Sequence, residues 1–101
     1  MSAPELNYLE DLRKTIQRLH GCDAKHLETV PVQESFRGKV TWEGDVEIFR
    51  TLDHPKAKQC FAWLQRMSNG SERYVAILGT SWIRTPAQAV QAFIMSDSGT
   101  I

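Results

Sequence analysis

Lys56, Lys58, Arg66, Arg73 and Arg84 fall within a stretch, residues 50–84, that carries six Lys/Arg against two Asp/Glu, a net +4. Guanidinium and ammonium groups gathered with few carboxylates among them are what recognition of a phosphate or carboxylate requires, so these five are candidate anion-binding residues. The competing reading is a solvated surface that complements residues 1–49, where six Lys/Arg meet nine Asp/Glu for a net −3. His54 adds an imidazole beside these cations, the one side chain whose ordinary titration falls near neutral pH.

A second set of residues suits a small ligand. Glu34 falls between Val32 and Phe36 in a segment of alternating polarity, and Arg50 follows Ile48 in the next such segment. A sheet that buried both would have to pair them with each other or give each another partner, because an isolated buried charge is costly. Either they form a structural pair, or Glu34 is a carboxylate at the floor of a pocket, placed to orient a ligand or take a proton. Trp42, Trp63 and Trp82 are candidate walls of a cleft, with Glu34, Arg50 or His54 pointing into it. His20, Cys22 and His26 bring metal-ligating types within seven residues, but no second pair of ligands from another element accompanies them. That segment reads as a helix-to-strand loop, and neither a metal nor a cofactor is expected.

The elements that position these residues follow from hydrophobic period. Ser2, Pro4 and Glu5 have the form of a helix start, and Leu6, Leu9, Leu12, Ile16 and Leu19 then recur at three- and four-residue steps. A helix from about Pro4 to His20 follows, stopped by Gly21. From Glu28 to Phe36 the period becomes two, with Val30, Val32, Glu34 and Phe36 on one face; Pro31 removes a ladder donor and marks an edge strand or a bulge. Gly38 marks the turn. A strand from Lys39 to Leu52 places Val40, Trp42, Val46 and Ile48 on one face and Thr41, Glu43, Asp45 and Glu47 on a face that reads as solvated. Gly44 in its middle signals a bulge, a sharp bend or a second turn. After the break at Asp53-His54-Pro55 comes a hairpin, and after Gly79 a loop leads to Thr85-Pro86-Ala87-Gln88, where Thr caps, Pro takes the first helical position and Gln completes a capping box.

The hairpin from Cys60 to Gly79 is apolar on both faces. Asn69-Gly70 suits a two-residue turn, which sets Ser68 opposite Ser71 and Arg66 opposite Arg73. One face then collects Cys60, Ala62, Leu64, Val75 and Ile77, and the other Phe61, Trp63, Met67, Tyr74, Ala76 and Leu78. If helices of the chain cover one face, the other calls for a second copy, a ligand or the chain's own termini, and a homodimer meeting across Phe61, Trp63, Tyr74 and Leu78 is the expected assembly. The two like charges at Arg66 and Arg73 either splay into water or share an anion.

Composition narrows the function classes. Hydrophobic residues at 42% and charged residues at 24% are those of a globular chain, and 101 residues suit one domain, residues 1–101. Zero net charge argues against a general electrostatic grip on nucleic acid or membrane. No apolar run spans a bilayer, and the first 21 residues are charged and amphipathic, so a cytoplasmic protein with free thiols at Cys22 and Cys60 is expected.

Glu34-x-Phe36-x-Gly38-Lys39, Trp42-x-Gly44-x-Val46-Glu47, His54-Pro55-Lys56-Ala57-Lys58 and Arg73-Tyr74-Val75-Ala76 together resemble small uncharacterised bacterial proteins of environmental origin. The resemblance covers most of the chain after Glu28 and implies no activity. The order helix, antiparallel strands, helix is also similar to a double-stranded RNA-binding domain, with His54 in the place of that family's His-bearing loop. That family's second helix opens with lysines that reach phosphates, whereas this one opens with Thr85-Pro86-Ala87-Gln88 and has no Lys or Arg, which argues against RNA.

The expected fold is α+β: a four-stranded antiparallel sheet with N-terminal and C-terminal helices packed on one face, in two layers. The expected function is non-enzymatic association as a homodimer; a module or small enzyme that binds a small molecule or anion is the alternative, and nucleic-acid binding a weaker one.

Overall fold

A computed structural model describes residues 6–67 and 69–97. The elements run α1 (Leu6–His20), β1 (Asp23–Phe36), β2 (Lys39–Leu52), β3 (Gln59–Arg66), β4 (Glu72–Leu78) and α2 (Pro86–Asp97). The four strands form one antiparallel sheet in the order β1-β2-β3-β4, with both helices packed on it, an α+β fold. The proposed caps at Ser2 and Pro4 lie outside the described residues. Among those described, no helix is long and apolar enough to cross a membrane.

The helices occupy opposite faces of the sheet, so the two-layer arrangement with both on one side is corrected to three layers. Leu12 and Ile16 of α1 are fully buried against Cys60, Ala62 and Ala76, whereas Ala89, Val90 and Phe93 of α2 pack with Phe61, Trp63 and Val75. Alternate residues of the same two strands thus feed two cores. The physical reason lies in the hairpin itself. Cys60, Ala62 and Ala76 admit α1 closely on one face, with Tyr74 and Leu78 beside them, and Phe61, Trp63 and Val75 fill the space beneath α2 on the other. Leu19, expected on the apolar stripe, is 50% exposed near the end of α1. Gly21 ends that helix at φ +69° with its N–H on the Gln17 carbonyl at 3.0 Å, a conformation that favours glycine.

Register was the other expectation to change. Arg66 pairs with Glu72 and Gln65 with Arg73, a slip of one residue from the pairing that a two-residue turn imposes. The Met67 N–H reaches the Ser71 carbonyl at 2.7 Å and Gly70 sits at φ +88°, so the loop is three residues long with the glycine in the left-handed position. One residue of slip moves Tyr74 and Leu78 to the α1 side, away from Phe61 and Trp63. It also replaces the Arg66–Arg73 clash with an ion pair, Arg66 Nη2 to Glu72 Oε2 at 3.0 Å.

In the first hairpin the tight turn falls at Arg37 and Gly38, both at positive φ, with Phe36 opposite Lys39. Gly44 is neither a turn nor a bulge: it pairs with Val32 in a continuous strand. A Cβ there would come within 3.2 Å of the Trp42 ring, so the absent side chain is what lets that indole lie across the strand. The register breaks come between His26 and Glu28 and between Glu34 and Ser35, which leaves Leu27 and Thr41 unpaired. Phe36, beyond the second break, is 64% exposed.

Candidate functional site

At one end of the sheet, on the side that carries α2, Lys25, Arg50 and Gln59 stand in a row across β1, β2 and β3. The Gly79 N–H extends the row by bonding the Gln59 carbonyl at 2.8 Å. A Cβ on Gly79 would meet the carbonyl oxygens of Gln59 at 3.3 Å and Ile83 at 3.4 Å, so a side chain here would press on the start of β3 and on the loop before α2, which would have to give slightly.

Two braced loops frame the row. In the β2–β3 loop, His54 Nδ1 accepts the N–H groups of Lys56 and Ala57, both at 3.0 Å, while Thr51 donates its hydroxyl to the Ala57 carbonyl at 2.5 Å and its N–H to the Lys58 carbonyl at 3.1 Å. That bracing sets where Lys58 enters β3. In the β4–α2 loop, the Thr80 hydroxyl oxygen accepts the N–H groups of Trp82 and Ile83, and the Thr80 N–H returns to the Ile83 carbonyl at 3.0 Å. Arg84 donates Nε–H to the Ser81 carbonyl at 3.1 Å. The capping box forms as expected, with Thr85 Oγ1 accepting the Gln88 N–H and Gln88 Oε1 accepting those of Arg84 and Thr85.

Between these loops and the row lies a shallow cleft of about 480 Å³, lined by Leu27, Arg50, Lys58, Gln59, Gly79, Thr80, Ile83 and Arg84. Three cations from three separate elements border it, and no carboxylate, imidazole or thiol is among its lining residues. Among the described residues, no ion pair engages Arg50, Lys58 or Arg84. Arg84 has its Nε committed to the backbone, which orients its guanidinium plane. Such a set can hold an anion through charge-assisted hydrogen bonds, and it offers no group to act as nucleophile or general base.

The cleft takes members from both candidate sets and leaves others elsewhere. Lys56 is exposed on the loop that precedes it, and His54 acts as that loop's brace. Arg66 is held by Glu72, and the Arg73 guanidinium lies 5.6 Å from the centre of the Phe93 ring, so neither reaches the cleft. Glu34 and Arg50 do not meet. Glu34 stands opposite Trp42, eight residues of β2 from Arg50 or about 26 Å, and it accepts a hydrogen bond from Gln91 of α2 at 2.9 Å. Trp42 and Trp63 are in edge contact at 5.6 Å and share the Gln65 side-chain oxygen, at 2.8 and 3.0 Å, but they belong to the α2 core. Trp82 is 85% exposed and joins neither. Of the expected interface, Phe61 and Trp63 are buried beneath the chain's own α2, while Tyr74 bonds Asp11 of α1 at 3.1 Å and Leu78 packs on the α1 side.

Sequence reasoning missed Leu27, Gln59, Gly79, Thr80 and Ile83 as cleft residues, and it misplaced Glu47. The expected solvated face of β2 is closed at Glu47, whose side chain is 1% exposed on the α1 side of the sheet. Its Oε1 accepts His26 Nε2–H at 2.8 Å and the Thr29 hydroxyl at 2.5 Å, and the Phe49 ring lies against the imidazole with centroids 5.4 Å apart. The metal-ligating types near α1 have separate partners: His20 Nε2 bonds the Ala76 carbonyl, His26 bonds Glu47, and Cys22 is buried. Burial pushes the Cys60 thiol up to about 12 and the Tyr8 hydroxyl up to about 12, while the Arg13 guanidinium beside Asp23 holds that carboxyl below its ordinary value. None of these groups borders the cleft.

No protein family, curated protein or solved structure compared with the chain matches it.

Proposed function

We propose that the protein is a small-anion-binding module and that its ligand sits in the cleft of Arg50, Lys58 and Arg84. The observation that carries this reading is the convergence of three cations, none of them in an ion pair among the described residues, from β2, the β2–β3 loop and the β4–α2 loop on one cleft whose lining holds no acidic residue. Cations held close together repel, and an anion placed among them relieves that repulsion while accepting their hydrogen bonds. We place this reading ahead of self-association across the Cys60–Gly79 hairpin because Phe61 and Trp63, half of the expected interface, are buried with residues of the chain's own α2.

Titration calorimetry with inorganic phosphate at low ionic strength tests the reading. Wild-type protein should bind saturably and 1:1. A hydrogen bond to a charged group contributes about 1.5–3 kcal/mol, so Arg50→Ala and Arg84→Ala should each weaken binding by roughly 10- to 100-fold. Arg66→Ala, which alters a cation outside the cleft, should leave it unchanged. Absence of saturable binding, or a triple Arg50, Lys58 and Arg84 variant that binds like wild type, overturns the proposal.

A further inference from the structure

We infer that the ligand of this cleft is a phosphomonoester of an apolar or aromatic alcohol rather than a bare inorganic anion; the inference rests on the anion-binding reading and names its ligand class. The lining is not uniformly cationic. Leu27 and Ile83 belong to it as well, and Leu27 is 47% exposed.

Leu27 owes its place to the register break between His26 and Glu28: it is the residue of β1 left without a partner on β2. A bulge of this kind re-aims one side chain out of the regular alternation, and bulges gather beside binding sites. Here the side chain it delivers to the cationic cleft is a leucine. Ile83 holds its position because its own N–H and carbonyl are both tied to Thr80. A hydrated inorganic ion has no use for either side chain, whereas an ester group on the same phosphoryl centre would lie against them.

Size and charge agree with that class. About 480 Å³ lies in the range of clefts that take whole small molecules, roughly 300–1,000 Å³, and a lone phosphoryl group leaves most of it empty. Two guanidinium forks and one ammonium exceed what a single carboxylate can satisfy. A phosphomonoester has three terminal oxygens and a charge of about −1.5 to −2 near pH 7, which gives each cation an oxygen of its own.

Calorimetry with phenyl phosphate, inorganic phosphate and phenol on the wild type, Leu27→Asn and Arg84→Ala tests both levels separately. Phenyl phosphate should bind about tenfold more tightly than inorganic phosphate, the gain coming from apolar surface removed from water. Leu27→Asn should erase that gain and leave inorganic phosphate unaffected, and because Leu27 is exposed its melting temperature serves as the control for folding. Arg84→Ala should weaken both phosphates. Equal affinity for the two phosphates, with both sensitive to Arg84→Ala, overturns the ester inference and leaves the anion reading standing. Binding of phenol as tight as that of phenyl phosphate overturns both, as does failure of both phosphates to bind.

Discussion

Glu47→Ala should cost the fold about 3 kcal/mol, although Glu47 does not line the cleft and continues in sequence the polar alternation of Thr41, Glu43 and Asp45. The carboxylate is buried on the α1 side of the sheet, directly across the β1–β2 ladder from Thr29, whose hydroxyl it accepts at 2.5 Å. Loss of that bond leaves a part-buried hydroxyl without an acceptor, at about 1.5 kcal/mol. His26, 26% exposed, can turn part of its lost bond over to water, so its share is nearer 1 kcal/mol. Truncation to a methyl group also opens a void between α1 and the sheet, at about 1–2 kcal/mol. Against these, removal of a buried carboxylate recovers desolvation, which brings the total back to about 3 kcal/mol. Glu47→Gln retains the volume and one acceptor oxygen and should cost roughly half as much. Urea unfolding followed by tryptophan fluorescence reads both variants. With a slope of about 1–3 kcal/mol per molar for a small protein, the alanine midpoint should fall by roughly 1.5 M. An alanine variant within 0.5 kcal/mol of wild type refutes the reasoning, since the two hydrogen bonds would then do no more than repay the burial of their own acceptor.

Gln65→Leu removes the oxygen shared by the indole N–H groups of Trp42 and Trp63 and should destabilise by about 2 kcal/mol, with Gln65→Glu recovering most of it; equal stabilities for the two variants would contradict that sharing. Asp23 is held below its ordinary pKa of 3.8 by hydrogen bonds from Arg13, the Ala24 N–H and Gln17, so the unfolded chain takes up its proton first as pH falls. Its contribution is complete above the unfolded value and is lost as pH drops through the lower folded one; acid titrations of stability should therefore be shallower in Asp23→Asn than in wild type, and identical curves would show the ion pair to be inert. With the Cys60 thiol pushed up to about 12 by burial, a disulfide reagent at pH 8 should modify Cys60 only at the rate at which the fold opens, rising with denaturant; immediate modification of native protein would contradict its burial.

What could be read from the chain beforehand was what neighbours in sequence decide. The capping box at Thr85 and Gln88 and the α1 positions Leu12 and Ile16 depend on residues three and four apart, and they formed as expected. Asn69-Gly70 marked a hairpin correctly but left its loop length open, because a glycine at positive φ serves both a two-residue turn and the three-residue loop that formed. One warning was legible: the shorter loop set Arg66 against Arg73. The slip that sets Arg66 against Glu72 instead also separates Phe61, Trp63 and Val75 from Cys60, Ala62 and Ala76. Each set meets one helix, so the charge pairing and the packing favour the same register.

No comparable local signal exists for the cleft. Arg50, Lys58 and Arg84 were each legible as cations, but their meeting depends on the Arg50–Gln59 pairing of β2 with β3, on the Gly79–Gln59 bond that closes the row, and on the bulge that frees Leu27. Glu47 fails for the same reason in the opposite direction. In sequence it continues the alternation of Thr41, Glu43 and Asp45, yet β3 pairs with β2 only from Glu47 to Arg50, so on the α1 face of β2 burial begins where Glu47 stands. One stretch of paired sheet, four residues long on β2, therefore encloses the misplaced carboxylate at one end and presents the cleft's central arginine at the other. A substitution that weakened β2–β3 pairing should loosen Glu47 and the cleft together, whereas one confined to the β1–β2 turn at Arg37 and Gly38 should disturb neither.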